Sequence, residues 1–306
     1  RETPSSAASA ASVRARLTMP QTYPVTLCGV RNPDQYNSER VTLRHGGRDR
    51  TFVVVTPDGV GADAPVLLYF HGSRQNGNVA RNVTGRTFDD MAATRGVRLV
   101  YPDGVDRHFN DTRLQLREKT RQLGVDDVGF TRAIVDWLGV SSVHACGYSN
   151  GGQMVMRLLH DAPGLLTGAA TFAATMPADN NRVEGLGTDP VPTPYLAIHG
   201  TADHIVRYDG GVAGLDPAHT RGELISAHAS AEYFAGVNGL GPDDHTRHSP
   251  VDGVTVDRWG GDAPVELWSI EGMGHLVPTP KQLPSSVGPG TSALVAAEVV
   301  ADFFRF

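Results

Sequence analysis

The chain has 306 residues, 40% hydrophobic and 20% charged, proportions that suit one large folded domain and not a disordered chain. With 27 Lys and Arg against 33 Asp and Glu its net charge is −6, and it has no basic block with which to grip a phosphate backbone, so nucleic acid is not an expected partner. No stretch reaches the ~18 consecutive apolar residues of a membrane helix, and two cysteines, Cys28 and Cys146, are too few for a disulfide-stapled scaffold.

Residues 1–20, beginning RETPSSAASAAS, are small and polar and read as a flexible leader. An Ala/Ser tail of this kind often follows a cleaved export signal, so secretion is the expectation. Residues 21–306 read as a single domain. Val41–Arg44 and Thr51–Thr56 flank HGGRDR, whose paired glycines predict a hairpin. Val66–Phe70 (VLLYF) is a continuous apolar run, which suits a strand buried on both faces. Helix Phe88–Arg95, strand Val97–Tyr101, helix Asp126–Leu138 and strand Val143–Cys146 follow. Cys146, at the end of that strand, reads as a buried free thiol. Then come helix Asn150–His160, strand Gly168–Thr171, strand Tyr195–His199, helix Glu223–Val237, strand Val265–Ile270 and helix Ser292–Phe304. This alternation predicts an α/β fold: a mostly parallel central sheet, helices on both faces and an antiparallel N-terminal hairpin at one edge. Loops 104–124, 179–194, 204–221 and 238–262 are expected to cap the C-terminal edge of the sheet, where open α/β sheets hold their active sites.

Gly147-Tyr148-Ser149-Asn150-Gly151 matches G-x-S-x-G and falls between the strand segment SSVHAC and the helical run QMVMRLLH. A sharp strand-to-helix turn there would expose Ser149 as a nucleophile. A serine hydroxyl needs a base, and the base needs an orienting acid. In this chain order the acid comes next and the histidine last. Asp203 follows strand Tyr195–His199 closely and is preferred over Asp179, Asp189 and Asp209. His275 follows the final strand and is preferred as base over His204, which adjoins the acid. His45, His108, His219, His228, His245 and His248 are expected to be solvated, and the HxxH spacing of His245 and His248 lacks other plausible zinc ligands. An oxyanion hole would take one N–H from Asn150, first in its helix, and one from Ser73 in the loop after Val66–Phe70.

Taken together, YFHGSRQNG, YPDGVDRHFND, DDVGF, GYSNGGQMVMRL, IHGTADHIVRYDGG and GMGH resemble the polyhydroxybutyrate depolymerase/feruloyl esterase group of α/β-hydrolases over residues 40–306. The resemblance implies a triad of Ser149, Asp203 and His275, oxyanion positions at Ser73 and Asn150, and no metal or cofactor. It also implies substrate-lining positions at Phe109 and Val277, where the family tends to carry tryptophan, with Tyr148 beside the nucleophile as a third.

The expected activity is hydrolysis, through an acyl-enzyme, of short-chain, aryl or hydroxycinnamoyl esters or of 3-hydroxyalkanoate oligoesters. Alternatives are polyester depolymerisation, acyl transfer to an alcohol by the same residues, amide hydrolysis, and a non-catalytic binding module, which would typically have lost a triad member. The expected partners are small or oligomeric esters. With Ser292–Phe304 read as the terminal helix and no adsorption module beyond it, soluble esters are expected to be favoured over crystalline polyester.

Overall fold

A computed structural model describes residues 35–187, 189–214 and 219–306; the leader, and Cys28 with the question of its pairing, lie outside them. The strands are β1 (Tyr36–His45), β2 (Arg48–Pro57), β3 (Val66–Phe70), β4 (Arg98–Pro102), β5 (Val143–Tyr148), β6 (Leu166–Phe172), β7 (Tyr195–Gly200), β8 (Gly211–Gly214), β9 (Thr220–Leu224), β10 (His245–His248), β11 (Val254–Trp259) and β12 (Val265–Ile270). The helices are α1 (Gly77–Val83), α2 (Thr87–Arg95), α3 (Lys119–Gln122), α4 (Asp127–Leu138), α5 (Asn150–Asp161), α6 (Ala227–Val237) and α7 (Ala296–Phe304). Ten strands form one sheet in the order β1-β2-β4-β3-β5-β6-β7-β12-β11-β10, and β8 pairs with β9 alone. The chain thus has an α/β-hydrolase architecture, with parallel pairing from β4 through β12 and an antiparallel hairpin at the N-terminal edge.

The central strands are continuously apolar because both faces are covered. On β3, Val66, Leu68 and Phe70 join the core beneath α4, α5 and α6, while Leu67 and Tyr69 join the core beneath α1, α2 and α7. Cys146 is a buried free thiol in the second of these cores.

Three expectations need correction. Loop 238–262 holds β10 and β11, which pair antiparallel onto β12, so this stretch extends the sheet at its far edge instead of capping its end. The predicted helix Glu223–Val237 begins only at Ala227: Glu223 and Leu224 finish β9, and the Ser226 hydroxyl caps the helix by accepting the Ala229 N–H at 3.0 Å. The helix predicted from Ser292 begins at Ala296.

Candidate active site

Ser149 stands between the last residue of β5 and the first of α5 with φ 54° and ψ −114°, a conformation that side-chain-bearing residues avoid. The turn is this tight because its glycines have no room for a side chain. A Cβ on Gly147 would meet the Gly151 carbonyl, and one on Gly151 would meet that of Phe70. The Ser149 N–H is tied to the Phe172 carbonyl of β6 at 2.9 Å, so the elbow is held by the neighbouring strand as well.

The structure brings Ser149, His275 and Asp203 together. The Ser149 hydroxyl lies 2.9 Å from His275 Nε2, and His275 Nδ1 donates to Asp203 Oδ2 at 2.8 Å. Asp203 is buried, whereas Asp179, Asp189, Asp209 and the competing base His204 are exposed. Its other carboxylate oxygen accepts the N–H groups of Ile205 and Val206, at 2.9 and 2.8 Å. Burial alone would raise the Asp203 pKa, but hydrogen bonds from His199 and His275 outweigh it and hold the carboxyl well below the usual carboxylate range. The base is held just as firmly: its N–H donates to the Val287 carbonyl at 2.6 Å, and the Tyr148 hydroxyl donates to its carbonyl at 2.7 Å.

Ser73 borders the same cavity, between Gly72, whose N–H goes to Gln75 Oε1 at 3.2 Å, and Arg74, whose N–H goes to the Arg107 carbonyl at 3.0 Å. The Asn150 N–H lies in the first turn of α5, where backbone donors have no intrahelical acceptor. The Asn150 side chain is committed elsewhere. Its Nδ2 donates to Asp111 Oδ2 at 2.6 Å and to the Phe109 carbonyl at 3.0 Å, and its Oδ1 accepts the Phe109 N–H at 2.8 Å.

The cavity over Ser149 has a volume of about 410 Å³, and Tyr148, His275, Ile205, Val206 and Val287 form part of its wall. The other two expected lining residues are corrected. Phe109 is buried beside the floor, its ring 5.2 Å from Phe70 and 4.5 Å from His71, because its backbone is clamped to Asn150. Val277 lines a separate depression with Leu276, Pro278 and Leu283, because the chain after His275 turns away over α7.

Three contributions were not read from the sequence. His199, four residues before the acid at the end of β7, places Nε2 3.3 Å from Asp203 Oδ2 and 2.8 Å from the Val206 carbonyl. Its nearness to Asp203 in the sequence was the available signal. His71 accepts the Gly104 N–H on Nε2 at 3.0 Å while its Nδ1 donates to the Gly72 carbonyl at 2.8 Å, which fixes the Ser73 loop. Burial lowers its pKa to about 4, so it stays neutral in that role. The third is a set of arginines on the cavity wall, Arg74, Arg113, Arg117 and Arg221.

His108 is buried, not solvated, its Nδ1 donating to the Asp106 carbonyl at 2.9 Å. The HxxH spacing falls on β10, where residues three apart point to opposite faces. There His245 meets Asp257 instead, at 2.9 Å, and their ligand atoms lie within 4.8 Å of one on His228. Those three residues are a donor set that could hold a divalent cation.

The comparisons with known proteins agree with this architecture. The chain is 30% identical over 176 residues to NocK of Nocardia uniformis subsp. tsuyamanensis, a protein named as an esterase; the match covers 54% of this chain and 48% of NocK, so it spans about half of that relative's length. It is 25% identical over 242 residues to the probable feruloyl esterase C of Aspergillus flavus, covering 76% of this chain and 78% of that one. An acetyl xylan esterase from Aspergillus awamori superposes with a TM-score of 0.55 at 15% identity, covering 80% of this chain and 96% of that one, a likeness of fold. No family model matches the chain.

Proposed function

We propose that this feruloyl-esterase-like α/β-hydrolase is a serine carboxylic ester hydrolase that works through an acyl-enzyme. The observation that carries the reading is the unbroken line of contacts from the strained Ser149 through His275 to a buried, ionised Asp203. His275 Nε2 takes the Ser149 proton as Oγ bonds to the ester carbonyl carbon, and the carbonyl oxygen takes up the displaced electron pair. The Ser73 and Asn150 N–H groups stabilise that oxyanion. Collapse breaks the bond to the alkoxy oxygen, which leaves as the alcohol with the proton from His275. Water then repeats the sequence on the acyl-enzyme, releasing the acid and regenerating the serine. Asp203 holds the imidazole in the tautomer that presents Nε2 to the serine and balances the charge that imidazolium brings. The substrates are short-chain and aryl esters and small oligoesters.

The test is covalent labelling. A fluorophosphonate is expected to add once per chain, on Ser149, and to abolish hydrolysis of 4-nitrophenyl butyrate. Labelling elsewhere, or full activity after labelling, would overturn the assignment.

A further inference from the structure

We propose that the cleft takes esters bearing a carboxylate remote from the scissile carbonyl, an inference that rests on the hydrolase reading above. The whole chain is acidic, at −6, yet among the described residues the wall of this cavity carries four arginines against a single carboxylate, Glu118. They come from three separate stretches: Arg74 from the loop after β3, Arg113 and Arg117 from loop 104–124, and Arg221 from β9. Counting Asp111, buried behind the wall, four arginines still outnumber two carboxylates among the described residues.

Internal pairing leaves much of this charge for a ligand. Arg113 grips Asp111 through Nε, at 3.2 and 3.1 Å, and through Nη2. Asp111 in turn is bonded to Asn150 of the elbow, so Arg113 is fixed relative to the nucleophile. Arg221 reaches Glu118 with one Nη at 2.6 Å. It is mostly buried and feels the repulsion of Arg113, which an anion between the two would relieve. Arg74 and Arg117 are exposed, with no carboxylate partner among the described residues. A cleft lined by one sign of charge concentrates oppositely charged substrate, and a guanidinium fork matches a carboxylate. Half-esters of dicarboxylic acids and 3-hydroxyalkanoate oligomers with a free acid end belong to this class, and neutral hydroxycinnamoyl sugars do not.

The experiment compares charge-matched pairs. One pair is 4-nitrophenyl hydrogen glutarate against its methyl ester, with the carboxylate on the acyl side; the other is a 3-hydroxybutyrate trimer against its methyl ester, with the carboxylate on the alcohol side. At low salt, kcat/KM is expected to favour the anion by about tenfold or more in at least one pair. Arg221→Gln and Arg117→Gln are expected to pull that ratio towards one, as is 0.5 M NaCl. A ratio of one or less in both pairs, or a ratio that neither variant alters, overturns the proposal. If no ester is hydrolysed, the hydrolase reading fails by itself. Calorimetry with glutarate then decides the anion site: binding that weakens in Arg221→Gln supports it, and absence of binding rejects it.

Discussion

On the floor of the cleft, Ser149, Asp203 and His275 follow the ends of β5, β7 and β12 by one, three and five residues; Ser149 and His275 are held by backbone hydrogen bonds to other segments, and Asp203 by those of its own loop. On its rim, Arg113, Arg117 and Glu118 sit in a 21-residue connection, 104–124, and Arg221 on a two-stranded ribbon outside the main sheet. The floor takes its geometry from the sheet. The rim is secured by a few buried carboxylates. Asp127 accepts the Asn110 N–H at 2.7 Å and the Arg50 guanidinium at 2.6 Å, and Asp111 joins Arg113 to Asn150. Position is therefore robust where the chemistry would occur, and dependent on single side chains where substrate would be chosen.

The sharpest break of the floor is Ser149→Ala. It is expected to lower kcat by about 10⁴-fold or more, leaving only binding and oxyanion stabilisation, while circular dichroism and Tm stay those of the parent. A mutant within tenfold of the parent would remove Ser149 from the nucleophile role. Asp203→Asn is expected to cost up to about 10⁴-fold, because the amide no longer selects the tautomer of His275.

Breaking the rim takes a different residue. Asp127 and Arg50 are both buried, and the Arg50 guanidinium also lies 4.0 Å from the Phe130 ring centroid. Asp127→Ala leaves that cation buried and unpaired, so unfolding free energy in urea is expected to fall by about 3–5 kcal/mol. Because Asn110 loses its acceptor in the same variant, KM for anionic esters is expected to rise more than kcat falls. A loss under about 1 kcal/mol would show that the rim is held by something other than this carboxylate.

How much of this was legible in the sequence follows the same division. The floor was legible because strand ends are marked by composition: VLLYF is an apolar run, VHAC and the Tyr195–Gly200 strand are mostly apolar, and they are closed by His-Gly, Gly-Tyr-Ser or Gly-Thr. Serine, acid and base then fall in a fixed chain order. The rim was not legible because Arg113 and Arg221 are 108 residues apart and meet only through loops without periodicity. Nothing in RLQLRE separates a buried arginine from a solvated one. Phe109 and Val277 were misread for a related reason: position in a motif places the backbone, whereas here the clamp to Asn150 and the turn after His275 decide where each side chain goes. At β10 and β11, HTRH and VTVDRW were read as loop because Gly and Asp around them outweighed two short alternating runs.

Acidification sharpens the comparison between floor and sheet. Burial holds His71, under the Ser73 loop, and His144, on β5, at pKa values of about 4 against an ordinary 6.5. Between those values the unfolded chain binds more protons than the folded one, so stability is full above pH ~6.5 and declines as pH falls towards 4. For His71, buried completely, the full span corresponds to a loss on the order of 3 kcal/mol. Asp203 and Asp111 are both held low and stay ionised across this window; burial raises the pKa of Asp127, which opposes the trend, and lowers those of His108 and His160, which reinforce it. The urea midpoint is expected to drop steadily from pH 7 to 5. A midpoint constant over that range would mean that neither imidazole is kept neutral.

The smallest effect is expected at the far edge of the sheet. His228, His245 and Asp257 gather there on α6, β10 and β11, with an Asp257 oxygen that is buried and without a hydrogen-bond partner among the described residues. By strand order β10 lies five places from β5, a separation of roughly 24 Å at the usual strand spacing. That exceeds the ~10 Å over which a charge acts through 0.1 M salt, and the intervening strands give the floor its own hydrogen bonds. A divalent cation at this edge would therefore leave the field at Ser149 nearly unchanged; the base is nearer, since β12, which leads to His275, lies two strands from β10, but the proposed acyl-enzyme steps draw only on side chains and backbone N–H groups. Turnover of 4-nitrophenyl butyrate is expected to be the same in EDTA, in zinc and in untreated protein. Activity lost to EDTA and restored by zinc or calcium would couple the edge to the floor, and the Ser149–His275–Asp203 mechanism would then be incomplete.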